Sequence, residues 1–147
     1  MTIRLYKKSD KEKLVELFKL NTPDYFAPHE QSDFERYLET HSTTYYVVEQ
    51  GRKIVGCGGY HVTEVNSVGR ISWNLVHPDY KRKGMGKQLV NYCIEKLRNE
   101  KAVRMIVVWT SQLAYIFYGK FGFRIRDIQR NYWGKGLHLF MMEFPVR

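Results

Sequence analysis

The chain has 147 residues, the usual size of one domain, and is long enough to bury a core without disulfides or a structural metal. With 44% hydrophobic and 27% charged residues, its composition excludes an intrinsically disordered chain. Lysine and arginine outnumber aspartate and glutamate by 24 to 15, and the net charge of +9 favours an anionic partner: a nucleic acid, a membrane surface or a phosphorylated cofactor.

The N-terminal third predicts one strand and two helices. A short alternating segment at the start favours the strand. Ser9 followed by Glu12 is a capping-box pattern, which predicts that a helix begins there, and apolar residues at helical spacing continue it to near Asn21. The loop 22–30 contains two prolines and separates this helix from a second amphipathic one.

Three strands are predicted next. Residues 45–49 and 53–62, joined by a short turn, are typical of an antiparallel pair. Residues 70–76 form the third strand, and period-two alternation predicts that one face carries three of its large apolar side chains. These are Ile71, Trp73 and Leu75.

The second half predicts two helices and three strands. A glycine-containing loop leads into an amphipathic helix, and the apolar run 103–109 is typical of an interior strand. Thr110 or Ser111 can cap the next helix, and strands over 124–129 and 137–144 complete the sheet. The predicted class is α/β (α+β), with a mixed, mostly antiparallel sheet of about seven strands and about four helices in one domain over 1–147.

The two cysteines predict no special chemistry. Cys57 and Cys93 lie among apolar neighbours without a CxxC partner, so we expect buried thiols and no metal site. A chain with two cysteines and no paired cysteine framework is typical of a cytoplasmic protein. The longest apolar run, 105–109, is too short to cross a bilayer, and the first ten residues do not resemble a signal peptide. We therefore expect a cytoplasmic protein with no membrane partner.

Basic residues are concentrated in the loop that follows the strand ending at Val76. This basic loop combines Lys81, Arg82, Lys83 and Lys87 with Gly84 and Gly86. Backbone N–H groups are unpaired at a helix N-terminus, and glycine lets the backbone approach an anion, so the pattern predicts a phosphate site. A P-loop is excluded because Gln88 stands where a hydroxyl is required, and a dinucleotide fingerprint because Leu89 replaces its third glycine.

The segment resembles the main signature of the GNAT superfamily of N-acetyltransferases, in which a strand and VHP-D-Y precede Q/R-x-x-G-x-G/A at a helix start. The matching residues are Val76, His77, Pro78, Asp79, Tyr80, Gly84 and Gly86, whereas Lys81 replaces the usual Gln or Arg. A downstream family pattern, A-x-x-x-Y-x-K-x-G-F, is matched by Ala114, Tyr118, Lys120, Gly122 and Phe123. The order of elements also agrees, so the resemblance covers the whole chain.

The resemblance implies that the chain binds acetyl-CoA as a co-substrate. Backbone groups of Leu75 and Val76 would pair with the pantetheine arm, and the amides of 82–87 would bind the pyrophosphate. Ser111 stands where many members have an Asn that touches the cofactor. The implied cofactor-binding residues are Leu75, Val76, Lys81, Arg82, Lys83, Gly84, Met85, Gly86, Lys87, Ser111 and Tyr118.

The resemblance also implies direct attack of an amine on the thioester in a ternary complex, without an enzyme nucleophile. Tyr118 would be the general acid for the leaving thiolate, although its periodicity alone predicts a core tyrosine. The backbone N–H of Val76 would stabilise the oxyanion. The general base is not identified, because no carboxylate lies on the strand before the loop. Glu64 and His61, on the preceding hairpin, are candidates for this role, although each is more typical of an ordinary surface residue.

Acceptor recognition in the family usually falls to two loops, which here carry Tyr25, Phe26, His29, Tyr132 and Trp133. These aromatic residues suit a small amine or an amino acid, but they could equally pack the loops onto the core. A protein or peptide amine is the alternative acceptor. A basic nucleic-acid-binding module with a vestigial CoA site is disfavoured, since no interleaved basic-aromatic motif is present. Homodimer formation and the acyl chain length stay open.

Overall fold

We describe residues 1–146 in a computed structural model of the chain. Seven strands and four α-helices lie within these residues, in the order that the sequence predicts. The strands are β1 (Thr2–Leu5), β2 (Tyr45–Gln50), β3 (Lys53–Val62), β4 (Val68–Val76), β5 (Met105–Thr110), β6 (Arg124–Gly134) and β7 (Leu137–Pro145). The helices are α1 (Lys11–Leu20), α2 (Gln31–Thr40), α3 (Met85–Arg98) and α4 (Tyr115–Gly119).

The strands form one mixed sheet in the order β1-β2-β3-β4-β5-β7-β6, which confirms the predicted fold class. Within residues 1–146, β4 and β5 are the one parallel pair, and all the other neighbours are antiparallel. The parallel pairing ends where Ile71 lies opposite Val108. Beyond this point β4 continues to Val76 without a partner on that side, so the two strands diverge and leave a gap between them.

Helices cover both faces of the sheet and define two cores. On one face α3 packs through its predicted apolar stripe, Leu89, Val90, Cys93, Ile94 and Leu97. On the other face α1 and α2 pack through Leu14, Leu17, Phe18, Phe34 and Leu38. Both cysteines are buried, as predicted. No helix within residues 1–146 combines the length and the apolarity that a membrane span requires.

A β-bulge in β4 overturns the predicted alternation of that strand. Its pairing with β3 shifts register between Cys57 and Gly59, and Trp73 adopts a positive φ of 54°. A bulge inserts an unpaired residue and reverses the side-chain alternation beyond it. Ile71 consequently packs in the core beneath α3, whereas Trp73 and Leu75 pack in the core beneath α1 and α2. The prediction that these three side chains share one face is therefore wrong.

Two helices begin later than the sequence predicts. A short 3-10 turn precedes α1, and the carboxylate of Asp10, rather than a Ser9 capping box, accepts from the Lys7 N–H at 2.8 Å. Before α4, the Ser111 hydroxyl accepts from the Leu113 N–H at 3.2 Å, so it caps a turn instead of the helix itself. Leu113 is consequently 49% exposed, although its spacing predicts burial.

Candidate active site

A cavity of about 620 Å³ opens where β4 and β5 diverge. Its walls come from the loop between α1 and α2, the second half of β4, the basic loop, the end of β5 and α4. Trp133, near the end of β6, lines the cavity as well. The cavity therefore joins most of the segments for which the sequence predicts a functional role.

The basic loop ends in a left-handed turn at the start of α3. Arg82 and Gly84 have positive φ values of 64° and 83°, and α3 begins directly afterwards at Met85. Within the described chain, the N–H groups of 82–87 make no backbone hydrogen bond, and the first one that does is that of Gln88, which donates to the Gly84 carbonyl at 3.0 Å. A row of unpaired amides at a helix N-terminus is suited to bind phosphate.

The basic side chains of this loop divide into two groups. Lys81, Arg82 and Lys87 line the cavity, whereas Lys83 lies outside it, with its Nζ 5.2 Å from the ring centroid of Tyr80. The Nζ of Lys81 lies 3.3 Å from the ring centroid of Tyr25, and burial lowers the pKa of its ammonium group. This contact joins the loop between α1 and α2 to the basic loop.

Val76 presents its backbone polar groups away from β3. The His77 N–H donates to the Val55 carbonyl at 2.8 Å, and hydrogen-bonded pairs alternate with non-hydrogen-bonded pairs along an antiparallel ladder. The adjacent pair of Val76 with Gly56 is therefore of the second kind. The Val76 carbonyl accepts from the Nδ2 of Asn21 at 3.2 Å, and the Val76 N–H is directed toward the gap beside β4.

Leu75 is not among the residues that line the cavity. Its side chain is 1% exposed and packs in the core beneath α1 and α2. It lies opposite Cys57, and the same alternation directs its backbone groups toward β3. Of the two residues expected to pair with pantetheine, the structure brings Val76 to the cavity.

Tyr118 is both a core residue and a lining residue. Its side chain is 6% exposed and packs beneath α3, which agrees with its periodicity, and the residue also lines the cavity. The Nδ2 of Asn74 donates to this hydroxyl at 2.9 Å. Because the phenol oxygen accepts from Asn74, its own proton is free to point elsewhere. Burial raises the pKa of Tyr118 to about 12, so the phenol stays protonated at working pH.

Three of the five predicted acceptor residues line the cavity: Tyr25, Phe26 and Trp133. The indole N–H of Trp133 donates to the Thr110 carbonyl at 3.1 Å, which fixes it over the end of β5. His29 instead faces the start of the β6–β7 turn beside Gly134, and Tyr132 packs edge-on against Trp109 with ring centroids 6.0 Å apart. Neither is a lining residue. Ser111 does line the cavity, 7% exposed.

Aromatic rings build the wall beneath α1 and α2. The ring of Trp73 stacks on Phe26 at 5.7 Å and lies 5.2 Å from Phe34. The positive φ of Trp73 at the bulge places this ring on the same side of the sheet as the two helices. The wall is therefore apolar and rigid.

Two charged residues of this region were not identified from the sequence. Glu30 is 5% exposed and lines the cavity, and its Oε2 accepts from the Ala27 N–H at 2.8 Å. Burial raises the pKa of its carboxyl group. Arg70 lines the cavity from β4, with its guanidinium carbon 4.3 Å from the ring centroid of Trp109. An acidic residue before a helix usually indicates a cap of the helix N-terminus, and a single arginine in a strand is not typical of any particular site. Neither sequence pattern therefore predicts a functional residue.

The two bases considered from the sequence do not line the cavity. The Nδ1 of His61 is 3.0 Å from the hydroxyl of Tyr37, and its ring stacks on His41 at 4.1 Å. Burial lowers the pKa of His61 to about 4. Glu64 is exposed in the connection between β3 and β4. Within residues 1–146, Glu30 is the one carboxylate that lines the cavity.

Comparison with known proteins agrees with this geometry. The sequence profile of the Acetyltransferase (GNAT) family matches residues 14–123, which include the basic loop, β5 and Tyr118. Comparison with curated protein sequences finds no match.

Many solved structures share the fold at low sequence identity. The ribosomal-protein-S18-alanine N-acetyltransferase from Escherichia coli is 19% identical, with a TM-score of 0.79 over 99% of this chain and 93% of its own. The protein yncA from Salmonella typhimurium, solved with its cofactor acetyl-CoA, is 18% identical, with a TM-score of 0.79 over 100% and 94%. An aminoglycoside 6'-N-acetyltransferase complexed with coenzyme A is 15% identical, with a TM-score of 0.80 over 100% and 98%.

Proposed function

The chain belongs to the acetyltransferase (GNAT) family of acyltransferases, and we propose that it moves an acetyl group from acetyl-CoA to a primary amine by direct attack in a ternary complex. The observation that carries this proposal is the cavity itself. It places an unpaired row of amides, a free strand edge and a buried phenol around one space.

The lining residues fit acetyl-CoA at both of its polar parts. The amides of 82–87 and the side chains of Lys81, Arg82 and Lys87 would hold the pyrophosphate, since they combine N–H donors with positive charge. The Val76 N–H beside the gap would bind the pantetheine arm or the thioester oxygen. Ser111, at the other wall, is a further candidate contact.

Acetyl-CoA, when bound, supplies a thioester whose carbon–sulfur bond breaks as the bond between the amine nitrogen and the acetyl carbon forms. The protein provides no nucleophile in this scheme. Burial raises the pKa of Cys57 and Cys93 to about 12, and neither lines the cavity. One proton leaves the amine and one reaches the departing sulfur, so a base and an acid are the groups required.

Tyr118 is the proposed donor to the sulfur. A thiol has an ordinary pKa of about 8.5, so full transfer from a phenol of pKa about 12 runs uphill by about 3.5 units, or about 5 kcal/mol. The phenol therefore contributes chiefly by donating a hydrogen bond to the developing negative charge. Transfer becomes easier inside the cavity, because exclusion of water also raises the proton affinity of the sulfur.

Glu30 is the proposed base. It lines the acceptor side of the cavity, and its raised pKa brings its proton affinity closer to that needed near neutral pH. The Ala27 N–H engages Oε2 alone, which leaves the other carboxylate oxygen to accept from the amine. Glu30 thus fills the role that the sequence leaves unassigned.

The acceptor is proposed to be a small molecule or an amino acid. The acceptor side of the cavity is walled by Phe26, Trp73, Trp109 and Trp133. Such an enclosed aromatic wall suits a compact amine better than an extended peptide. A cytoplasmic location and a homodimer stay predictions, as does the acetyl rather than a longer acyl chain.

The experiment combines calorimetry and a turnover assay. Binding of acetyl-CoA is measured at moderate and high salt, and thiol release is followed with amines, amino acids and peptides as acceptors. Binding that persists at high salt, with thiol release on a small amine or amino acid, supports the proposal. Turnover on peptides alone would reassign the acceptor to a protein amine. Absence of acetyl-CoA binding, with salt-sensitive binding of nucleic acid, would refute the proposal.

A further inference from the structure

Arg70 is a partly buried cation without an anionic partner. Its Nε is shielded from solvent and makes no hydrogen bond, and within residues 1–146 its guanidinium forms no ion pair. The guanidinium instead lies against the ring of Trp109. Burial lowers the pKa of the guanidinium, yet an arginine stays charged in proteins. A partly buried charge with a shielded, unpaired Nε costs free energy that a cation–π contact alone offsets only in part.

The position of Arg70 connects this charge to the acceptor. It lies on β4 two residues before Ser72, and both side chains line the cavity together with Trp109 and Trp133. The phosphate-binding loop follows the far end of β4, beyond Val76. Arg70 therefore lies at the end of the strand away from the pyrophosphate site, and the cofactor's phosphates do not account for it.

Within residues 1–146, the carboxylate that lines this cavity is that of Glu30. Arg70 and Glu30 line the same cavity but form no ion pair with each other. Each charge is thus available to a ligand group of the opposite sign. An acceptor that carries a cationic amine and an anion at separate positions would satisfy both.

We infer that Arg70 is the receptor for a carboxylate on the acceptor, so that the substrate class is an amine that also bears a carboxylate, as a free amino acid does. This inference rests on the proposed function and narrows it. The planar guanidinium presents a fork of N–H donors that matches the two oxygens of a carboxylate. Trp109 stacks on one face of the guanidinium and fixes its plane, and the aromatic wall would receive an apolar side chain.

The experiment compares each proteinogenic amino acid with its amide, in which the carboxylate is neutralised. The values of kcat/KM for acid and amide are measured with the wild type, with Arg70→Met and with Arg70→Lys. Because acid and amide differ in amine reactivity, the informative quantity is the change in their ratio between enzymes. We expect Arg70→Met to lower the acid-to-amide ratio about 10- to 100-fold, the effect of one lost charged hydrogen-bonding pair. Arg70→Lys keeps the charge and should retain part of the preference.

Arg52→Met is the matched control, since Arg52 is exposed in the turn between β2 and β3, and its ratio should not change. Thermal unfolding of each variant checks that it is folded. Peptides are assayed as well, because the carboxylate could be the α-carboxylate of a free amino acid or a side-chain carboxylate of a peptide. If a side-chain carboxylate is the ligand, peptides with an acidic second residue show the same dependence on Arg70. An acid-to-amide ratio that is equal in the wild type and Arg70→Met overturns the inference.

A binding measurement separates failure of this inference from failure of the proposed function. Calorimetry with N-acetylated amino acids as probes tests the site without turnover. If no amine is acetylated but an N-acetylated amino acid binds the wild type and not Arg70→Met, the carboxylate site stands and the proposed reaction falls. If amines are acetylated but no probe or substrate depends on Arg70, the reaction stands and the carboxylate site falls.

Discussion

Replacement of Tyr118 by Phe tests the arrangement of the acid and its partner. The change removes the hydroxyl that accepts from Asn74 Nδ2 at 2.9 Å. The Oδ1 of Asn74 already lacks a partner, so the variant leaves the whole buried amide unpaired. An unpaired buried polar group costs about 1–3 kcal/mol. With an unfolding entropy of about 2.1 cal/mol/K per residue over 147 residues, a loss of about 2 kcal/mol lowers Tm by about 6 °C.

The rate effect follows from the hydrogen bond that we propose Tyr118 donates to the sulfur. Loss of a hydrogen bond to a charged group, about 1.5–3 kcal/mol, predicts a fall in kcat of about 10- to 100-fold. Binding of acetyl-CoA should change little, because the amides proposed to bind the pyrophosphate lie on another segment. The measurements are thiol release, calorimetry with acetyl-CoA and thermal unfolding.

Tyr115→Phe is the matched control for this variant. Tyr115 lies on the same helix and stacks on Phe140 with ring centroids 4.7 Å apart, outside the cavity. We expect it to retain kcat and to show no comparable loss of stability. A Tyr118→Phe enzyme with the wild-type kcat would refute the reasoning, whatever its Tm, because the loss of stability alone reports only the bond to Asn74.

Three further changes test the bulge, the base and a structural ion pair. In Gly58→Ala the new Cβ would overlap the Oδ1 of Asn74, so we expect lower stability and lower kcat, whereas Gly119→Ala, with open space around its Cβ, should be nearly neutral in both assays. Glu30→Gln keeps an acceptor for the Ala27 N–H but should lower kcat about 100-fold and abolish an acid limb that titrates above the ordinary glutamate pKa of about 4.3; an unchanged limb would exclude Glu30 as the base. Asp10 receives two hydrogen bonds of 2.9 Å from Arg4, which lower its pKa, so its stabilisation is present above the unfolded pKa near 3.9 and is lost as the pH falls through the lower folded value. Urea unfolding should show Asp10→Asn about 2 kcal/mol less stable at pH 7, with the difference shrinking below about pH 4; a constant difference would contradict this origin.

The order of elements and the glycine turn that starts α3 could be predicted from the sequence because both depend on local patterns. Helical and strand periodicity predict the seven strands and four helices of residues 1–146, and the two glycines of the basic loop mark the start of α3. Three of the five predicted acceptor residues also line the cavity. The resemblance to the family, and not a local pattern, indicates their two loops.

The face of each β4 side chain could not be predicted, because a bulge depends on pairing between distant segments. A single strand of alternating residues gives no sign that Gly58 lies opposite two residues of β4. The reversal at Trp73 places Leu75 in the core beneath α1 and α2 instead of the core beneath α3, and it decides which backbone groups face the gap. Likewise, His29 and Tyr132 lie in the correct loops, yet packing against their neighbours takes their side chains away from the cavity.

The residues that sequence analysis did not identify have unfavourable local features: a left-handed backbone conformation or an unpaired buried polar atom. Trp73 adopts a left-handed conformation, which costs about 1–3 kcal/mol, and the unpaired Asn74 Oδ1 and Arg70 Nε are each buried polar atoms that cost about 1–3 kcal/mol. All three residues line the same cavity. Within residues 1–146, no other buried side-chain nitrogen or oxygen lacks a partner. Both unpaired buried atoms lie around one cavity, as expected where binding of ligands recovers their cost, so this distribution supports a functional rather than a structural role for Arg70.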